Sequence, residues 1–379
     1  MGSARVCVQN IIIVTLTSLF CAGYGKYPEL KLSNELINLD VDNITNNIFI
    51  GGKNVLLKVS PALAELRRIT TGPKLDYVDC LGEDEPDCVG KDTDNKNKVL
   101  LVDSTERHLI TCGSLKHGAC QLRSLDSLTE TNSEEFVVSN ADLPAVALIT
   151  PSVSGKRAIY IGTSWKGKYG KNPLNAIGTT PAVSTRKIDD PDVFAISRKD
   201  VRAMSFLQFA NLNYLVKYIY GFSSGNFNYF VTVQETTESY QNKDDPKVFK
   251  TFIIRLCQRD IHYLTYVELP LECQSLNGAN FSIAKSAHLT KPGDFLSKSP
   301  GHQASDAVLV VAFFETTVGW DGPSQNSAVC MYSVKEINTA LESDQQRCVG
   351  GNYGKVTLGL PWVRDNEFCA EKVSTNFDN

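Results

Sequence analysis

The sequence predicts an all-β protein built from four-stranded antiparallel sheets, each with the shape of a propeller blade. Three observations carry that reading. Between Tyr214 and Cys273, four strand-like runs follow one another. Comparable groups of short β-branched and aromatic runs, separated by polar or glycine breaks, recur before and after it. No proline-rich linker or low-complexity tract divides the 379 residues, and one all-β domain of that length is ordinary.

Taken in order, the chain opens with Arg5, the apolar run Ile11–Ala22, and the small residues Ala22, Gly23 and Gly25. This is the pattern of a signal peptide, and the run is too short to span a bilayer. We expect residues 1–25 to be removed in the secretory pathway and residues 26–379 to form one domain. No later run is long and apolar enough for a membrane anchor. Eleven cysteines agree with an oxidising compartment, and loss of Cys7 and Cys21 with the leader would leave nine.

The first unit comprises Ile37–Val41, Ile48–Ile50, Val55–Val59 and Leu63–Ile69, with the glycosylation sequon Asn43-Ile44-Thr45 in its first turn. An acidic loop with Cys80 and Cys88 follows. Asp92, Asp94 and Asn95 resemble the start of a calcium loop, but Asn97 replaces the turn glycine and Asp103 the bidentate glutamate. Lys96 and Lys98 interrupt the run further, so a solvated loop is expected there. The second unit holds Val99–Asp103, His108–Gly113 and Ala119–Leu122, and Cys112 and Cys120 bracket a loop short enough for a local disulfide.

The third unit holds Ala145–Thr150, Ala158–Gly162 and Val193–Arg198. Its long polar insert mixes Trp165 with Lys166, Lys168 and Lys171, a candidate partner contact. The fourth unit holds Leu215–Phe222, Phe227–Gln234, Phe249–Cys257 and Tyr263–Leu269. In its second run Phe227, Tyr229, Val231 and Val233 fall on one side, and Asn228, Thr232 and Gln234 on the other. The break Ser223-Ser224-Gly225-Asn226 reads as a hairpin. The fifth unit holds Ile283–Leu289, Val308–Glu315 and Ala328–Val334, a second sequon at Asn280-Phe281-Ser282, and helical spacing over Lys335–Leu341.

A formal net charge of −4 implies no general affinity for nucleic acid or anionic membranes. The five histidines are scattered, no C-x-x-C pair occurs and no glycine-rich phosphate loop appears, so no metal site and no cofactor is expected. Gly221-Phe222-Ser223-Ser224-Gly225 matches the nucleophile-elbow pattern. That motif needs a helix after the serine, and here an alternating strand follows. A serine hydrolase using Ser223 is therefore the reading that competes with a non-enzymatic binding module.

The sequence also carries a family resemblance. The run Tyr218–Gln234 (YIYGFSSGNFNYFVTVQ), then Ile254-Arg255-Leu256-Cys257, then Tyr266–Cys273 (YVELPLEC) resemble the fourth blade of the sema domain of plexins. Asn97–Asp103, Leu109–Ser114 and Gly118–Leu125 resemble the second blade. Ser327–Cys330, Lys335–Asn338, Cys348 and Leu360-Pro361-Trp362 up to Cys369 resemble the plexin pattern once more, in a later part of the domain. Plexins are cell-surface receptors for semaphorins. The resemblance implies a seven-bladed propeller of which about five blades can be counted. It implies a ligand-binding module with a semaphorin as protein partner, alongside other receptor or co-receptor chains, and a role in semaphorin–plexin signalling and axon guidance. The complete receptor would cross the plasma membrane once, with this part outside. A secreted semaphorin-type ligand with the same fold is the alternative within this class.

Proximity pairs Cys80 with Cys88 and Cys112 with Cys120. The resemblance pairs Cys273 with Cys330 and Cys348 with Cys369, and leaves Cys257 without its partner, which in plexins lies shortly after the Cys369 equivalent. On that basis we expect the 379-residue chain to be an incomplete domain that exposes a free Cys257 thiol, folds poorly alone and binds a semaphorin more weakly than a complete receptor.

Overall fold

The structure is a computed structural model. It describes residues 28–77, 88–116, 118–131, 136–137, 143–151, 157–166, 181–187, 205–208, 215–236, 247–258, 260, 263, 265–293, 297–298, 303, 306–315 and 326–349. The chain divides into two compact units, Met1–Asp142 with Phe194–Ile196, and Leu143–Val193 with Ser197–Asn379.

In the first unit, β1 (Leu36–Val41), β2 (Ile48–Gly52), β3 (Val55–Val59) and β4 (Glu65–Thr70) form an antiparallel meander. The two middle strands are buried along their whole length, because their alternate side chains serve two interfaces. Ile48, Ile50, Val55, Leu57 and Val59 pack with Leu63 on one face. Phe49 and Leu56 turn to the other, against Leu100, Leu109, Leu125 and Leu128. The small ribbon β5 (Lys74–Asp76) and β6 (Lys91–Thr93) comes next. The second sheet follows, with β7 (Val99–Asp103), β8 (His108–Cys112), β9 (Ala119–Ser124) and β10 (Phe136–Val137) in sequence order.

The stretch expected to be a solvated loop departs from that expectation. Lys91–Thr93 is a strand, and the residues after it fasten the first sheet to the second. Lys53 Nζ lies 2.5 Å from Asp94 Oδ2. Asn54, in the left-handed region at φ 63°, accepts the Asn95 amide at 2.7 Å and donates to Asp94 Oδ1 at 2.6 Å. Asn95 donates to the Thr71 carbonyl and accepts from the Ser114 amide. Asn97 is buried, accepting from Asn38 Nδ2 at 2.7 Å and donating to the Val99 carbonyl. A Cβ on Gly51 would fall 2.4 Å from Asn97 Cγ, so this staple requires glycine opposite it. The carboxylate and amides that suggested a cation loop are thus consumed by protein partners.

The second unit contains three sheets. The third is β11 (Ala145–Pro151), β12 (Arg157–Thr163), β14 (Pro181–Lys187) and β15 (Ser205–Gln208). Its third and fourth strands differ from expectation. Pro181–Lys187 falls within the expected polar insert, and Val193–Arg198, the expected strand, lies outside the described residues. The fourth sheet is β13 (Trp165–Lys166), β16 (Leu215–Ser224), β17 (Phe227–Glu235), β18 (Phe249–Cys257) and β19 (Val267–Pro270). It has five strands because the insert lends β13 to its edge, Trp165 opposite Val216. The hairpin β16–β17 closes on Gly225-Asn226 alone, since Ser224 already pairs with Phe227. Gly225 takes φ 58°, as the first position of a II′-type two-residue turn demands. Tyr263 does not begin a strand; it sits at φ 54° and buries its ring, and pairing starts only at Val267.

The fifth sheet is β20 (Cys273–Gln274), β21 (Asn280–Thr290), β22 (Val308–Glu315) and β23 (Ser327–Ser333). Cys273 thus starts this sheet rather than ending the fourth. One helix follows, α1 (Val334–Val349), longer at both ends than the expected Lys335–Leu341. Ser333 Oγ accepts the Glu336 amide at 3.4 Å, and Ser333 with Glu336 has the spacing of a capping box. Val334, Ile337 and Leu341 occupy one helical face and are buried.

The fourth sheet is sandwiched. On one face Phe222, Tyr229, Val231, Val233, Ile253 and Val267 pack with Ile283, Leu309, Val311 and Phe313 of the fifth sheet and with the helix. On the other, Val216, Tyr218, Phe230, Ile254 and Leu256 pack with Leu148, Ala158, Tyr160 and Val183 of the third. Neither face meets solvent over its centre.

Candidate ligand-recognition module

The expected alternation in Phe227–Gln234 holds, but its polar side is buried: Asn228, Thr232 and Gln234 are at most 1 % exposed. Buried polar groups need partners, and each has them. Ser223 Oγ donates to Asn228 Oδ1 at 2.8 Å, Asn228 Nδ2 reaches Thr150 Oγ1 at 3.3 Å, and Gln258 Nε2 reaches Asn228 Oδ1 at 3.3 Å. The Tyr160 hydroxyl donates to the Gln258 carbonyl at 2.9 Å. These bonds join the third sheet to the fourth. Gln234 Nε2 donates to Thr232 Oγ1 and to Glu268 Oε2, at 2.8 and 2.9 Å, and Tyr266 Oη donates to the same Glu268 oxygen at 2.9 Å. Burial pushes the Glu268 carboxyl up to about 7, although those two hydrogen bonds pull the other way.

A second polar cluster fixes the helix. Arg255 is 3 % exposed, with its guanidinium 4.5 Å from the Phe227 ring centre. It donates to Asn338 Oδ1 and Gln345 Oε1, each at 2.9 Å, and lies 3.5 Å from Glu342. The Tyr229 hydroxyl donates to Asn338 Oδ1 at 2.7 Å. Asn338, Glu342 and Gln345 share a helical face at i, i+4 and i+7. In the first unit, burial of Asp42 is outweighed by hydrogen bonds from Thr45, Arg107, Ser104 and the Ile44 amide, which hold its carboxyl well below the usual range.

The sequence-predicted residues are distributed as follows. Trp165 is 1 % exposed, packed in the core between the third and fourth sheets, and so is unavailable for partner contact. The aromatic-basic reading fails there because the residue lies on a strand. Lys166 follows on the same strand, its side chain outside the described residues, as are Lys168 and Lys171. Ser223 precedes a two-residue hairpin and a strand, not a helix, so the nucleophile-elbow context does not form. Cys112 and Cys120 are bonded across β8 and β9, with Cα atoms 4.0 Å apart. Cys273 and Cys330 are bonded with Cα atoms 5.9 Å apart, tying the first strand of the fifth sheet to its last. Cys88 is in a disulfide, and Cys80 lies outside the described residues. Cys348 is on the helix, its side chain not described, and Cys369 lies outside. Cys257 is free and half-buried at the end of β18. Asn43 is exposed in the β1–β2 turn and Asn280 at the start of β21. Among the described residues no cluster of His, Cys, Asp or Glu could hold a metal ion, and no helix is long and apolar enough to cross a membrane.

The sequence places Gln234, Arg255, Glu268 and Asn338 in strand and helix runs but does not mark them as members of buried polar clusters. A glutamate two residues after Tyr266 in an apolar run, and an arginine between Ile254 and Leu256, were the available signals.

Five successive four- or five-stranded antiparallel sheets, the last three of them packed face to face in the second unit, invite comparison with known proteins. The plexin A4 extracellular region matches 90 % of this chain with a TM-score of 0.75 and 28 % identity, the chain covering 38 % of that structure. This chain is similar to plexins over almost its whole length. Mouse Plexin-A3 is 30 % identical over 96 % of the chain, and zebrafish Plexin-A4 28 % over 90 %. The chain spans about a fifth of the length of these plexins, 20 % and 19 %. Residues 293–376 match the Sema domain family. Drosophila Semaphorin 2a shares the fold, with a TM-score of 0.56 at 16 % identity over 82 % of this chain and 49 % of its own. The sheets described above are therefore blades of a sema-type β-propeller fold, and the likeness to plexin A4 exceeds that to Semaphorin 2a in both sequence and structure.

Proposed function

We propose that this chain is the extracellular ligand-binding module of a plexin-like semaphorin receptor. On this reading residues 1–25 direct it into the secretory pathway, and residues 26–379 belong to a sema domain whose exposed loops and blade edges receive a semaphorin. The observation that carries the proposal is the match to the plexin A4 extracellular region at 28 % identity with a TM-score of 0.75. Among the structures sharing the fold, Drosophila Plexin A is in complex with Semaphorin 1b. The two described disulfides support an oxidising compartment, and exposed Asn43 and Asn280 support glycosylation there.

The ligand-side reading, a semaphorin-type protein, has the weaker likeness, and the hydrolase reading has no strand–turn–helix at Ser223. Binding is tested with the chain secreted from insect or mammalian cells, checked for β-structure by circular dichroism, and immobilised before semaphorin ectodomains of several classes. Saturable binding of at least one class is expected, weaker than that of a complete plexin. If a complete plexin binds the same ectodomains while the folded chain binds none, the proposal is overturned. A fluorophosphonate probe should leave Ser223 unlabelled in the folded chain.

A further inference from the structure

Glu268 is the second residue of β19, the outermost strand on its side of the fourth sheet, and is only 4 % exposed. Both of its hydrogen bonds arrive at one oxygen, Oε2, from neutral donors: Gln234 Nε2 on β17 and the phenol of Tyr266, each at 2.9 Å. Among the described residues the Tyr218 phenol of β16 also interacts with it, and Tyr263 in turn with Tyr218. Of the basic residues on or beside the neighbouring strands, Lys250 on β18 is exposed and Lys217 on β16 half-buried. Arg255, adjacent in sequence to the Ile254 that pairs with Glu268, turns to the helix, and Lys247 reaches Glu235. No basic side chain among the described residues acts on Glu268. A carboxylate in such surroundings is an uncompensated buried charge, whereas a carboxylic acid is not.

We propose that Glu268 is a proton switch in the fourth blade: it is a neutral acid in mildly acidic surroundings and a buried anion without a counter-charge above neutrality, so the β18–β19 edge is tighter at acid pH. The raised value of about 7, against an ordinary 4.5, supports this and sets the window. Between those values the folded chain holds a proton that the unfolded chain has released. The stabilisation is therefore fullest toward pH 4.5, declines as pH rises, and is gone above about 7. A chain passing between compartments of different acidity would loosen this edge on leaving the acidic one.

The test compares denaturant unfolding of the full chain and of Glu268→Gln from pH 5 to pH 8. The amide keeps the shape and cannot ionise. Relative to the variant, the wild-type unfolding constant should rise roughly ten- to a hundredfold across that range, climbing about tenfold per pH unit for as long as the folded chain keeps its proton. Parallel curves would overturn the proposal. Should the variant fail to fold, carbon-13 NMR of the wild-type chain with labelled glutamate carboxyls reads the same quantity. A Glu268 carboxyl titrating near neutrality supports the switch, and one ionised throughout pH 5–8 refutes it.

Discussion

Gly162, on β12, shows how closely single residues are specified. A Cβ there would stand 2.3 Å from Cδ1 of the Tyr218 ring, which is itself buried and packed edge-on to Phe230 with ring centres 5.5 Å apart. Neither ring has room to withdraw, so Gly162→Ala should destabilise by about 1–3 kcal/mol, as overpacking commonly does. Denaturant titration checks it, and an unchanged midpoint would mean the ring moves freely. At this scale the sequence is only partly legible. Gly225 is readable as a hairpin residue because its demand is local. Gly162 is not, because its reason is a tyrosine fifty-six positions away. Trp165 misleads for a related cause. Beside lysines in a polar insert it looks like a surface contact, yet a strand of two residues carries it to the edge of another sheet and into the core.

At the scale of elements, alternation finds most strands of the first, second, fourth and fifth sheets to within a few residues, because each has apolar side chains on at least one buried face. It cannot find Pro181–Lys187, where Ser184 and Thr185 are buried polar residues satisfied only in the fold, one of them by Tyr263. Nor can it show that both faces of β17 are covered. The helix is legible from Ser333 and Glu336, but its docking is not. Arg255→Met keeps an apolar stem while removing the bonds to Asn338 and Gln345. It should lower stability by about 1.5–3 kcal/mol, and hydrogen exchange along Val334–Val349 should speed up more than along β7–β9. Equal effects on both would contradict local docking. The bond between Cys273 and Cys330 closes a separation of 57 residues, and replacing both by alanine should cost about 2–4 kcal/mol.

For the whole molecule, the family likeness is legible in a few local motifs, since Tyr218–Gln234 and Tyr266–Cys273 supply many residues of the two cores that cover the fourth sheet. The candidate contact residues are not, because recognition surfaces are loops whose chemistry no core pattern constrains. Peptide mapping under non-reducing conditions should recover Cys273 with Cys330, Cys112 with Cys120, and Cys257 as a free thiol. Cys257 linked to any of those four would overturn this arrangement.

The most direct test of the proposed receptor role is competition. A semaphorin ectodomain is held at a sensor surface, a plexin extracellular region is titrated onto it, and this chain is added in increasing amounts. If this chain is a plexin-like ligand-binding module, it occupies the same semaphorin surface, and the plexin signal falls in a saturable manner. A plexin signal unchanged at every concentration of the folded chain would contradict the account.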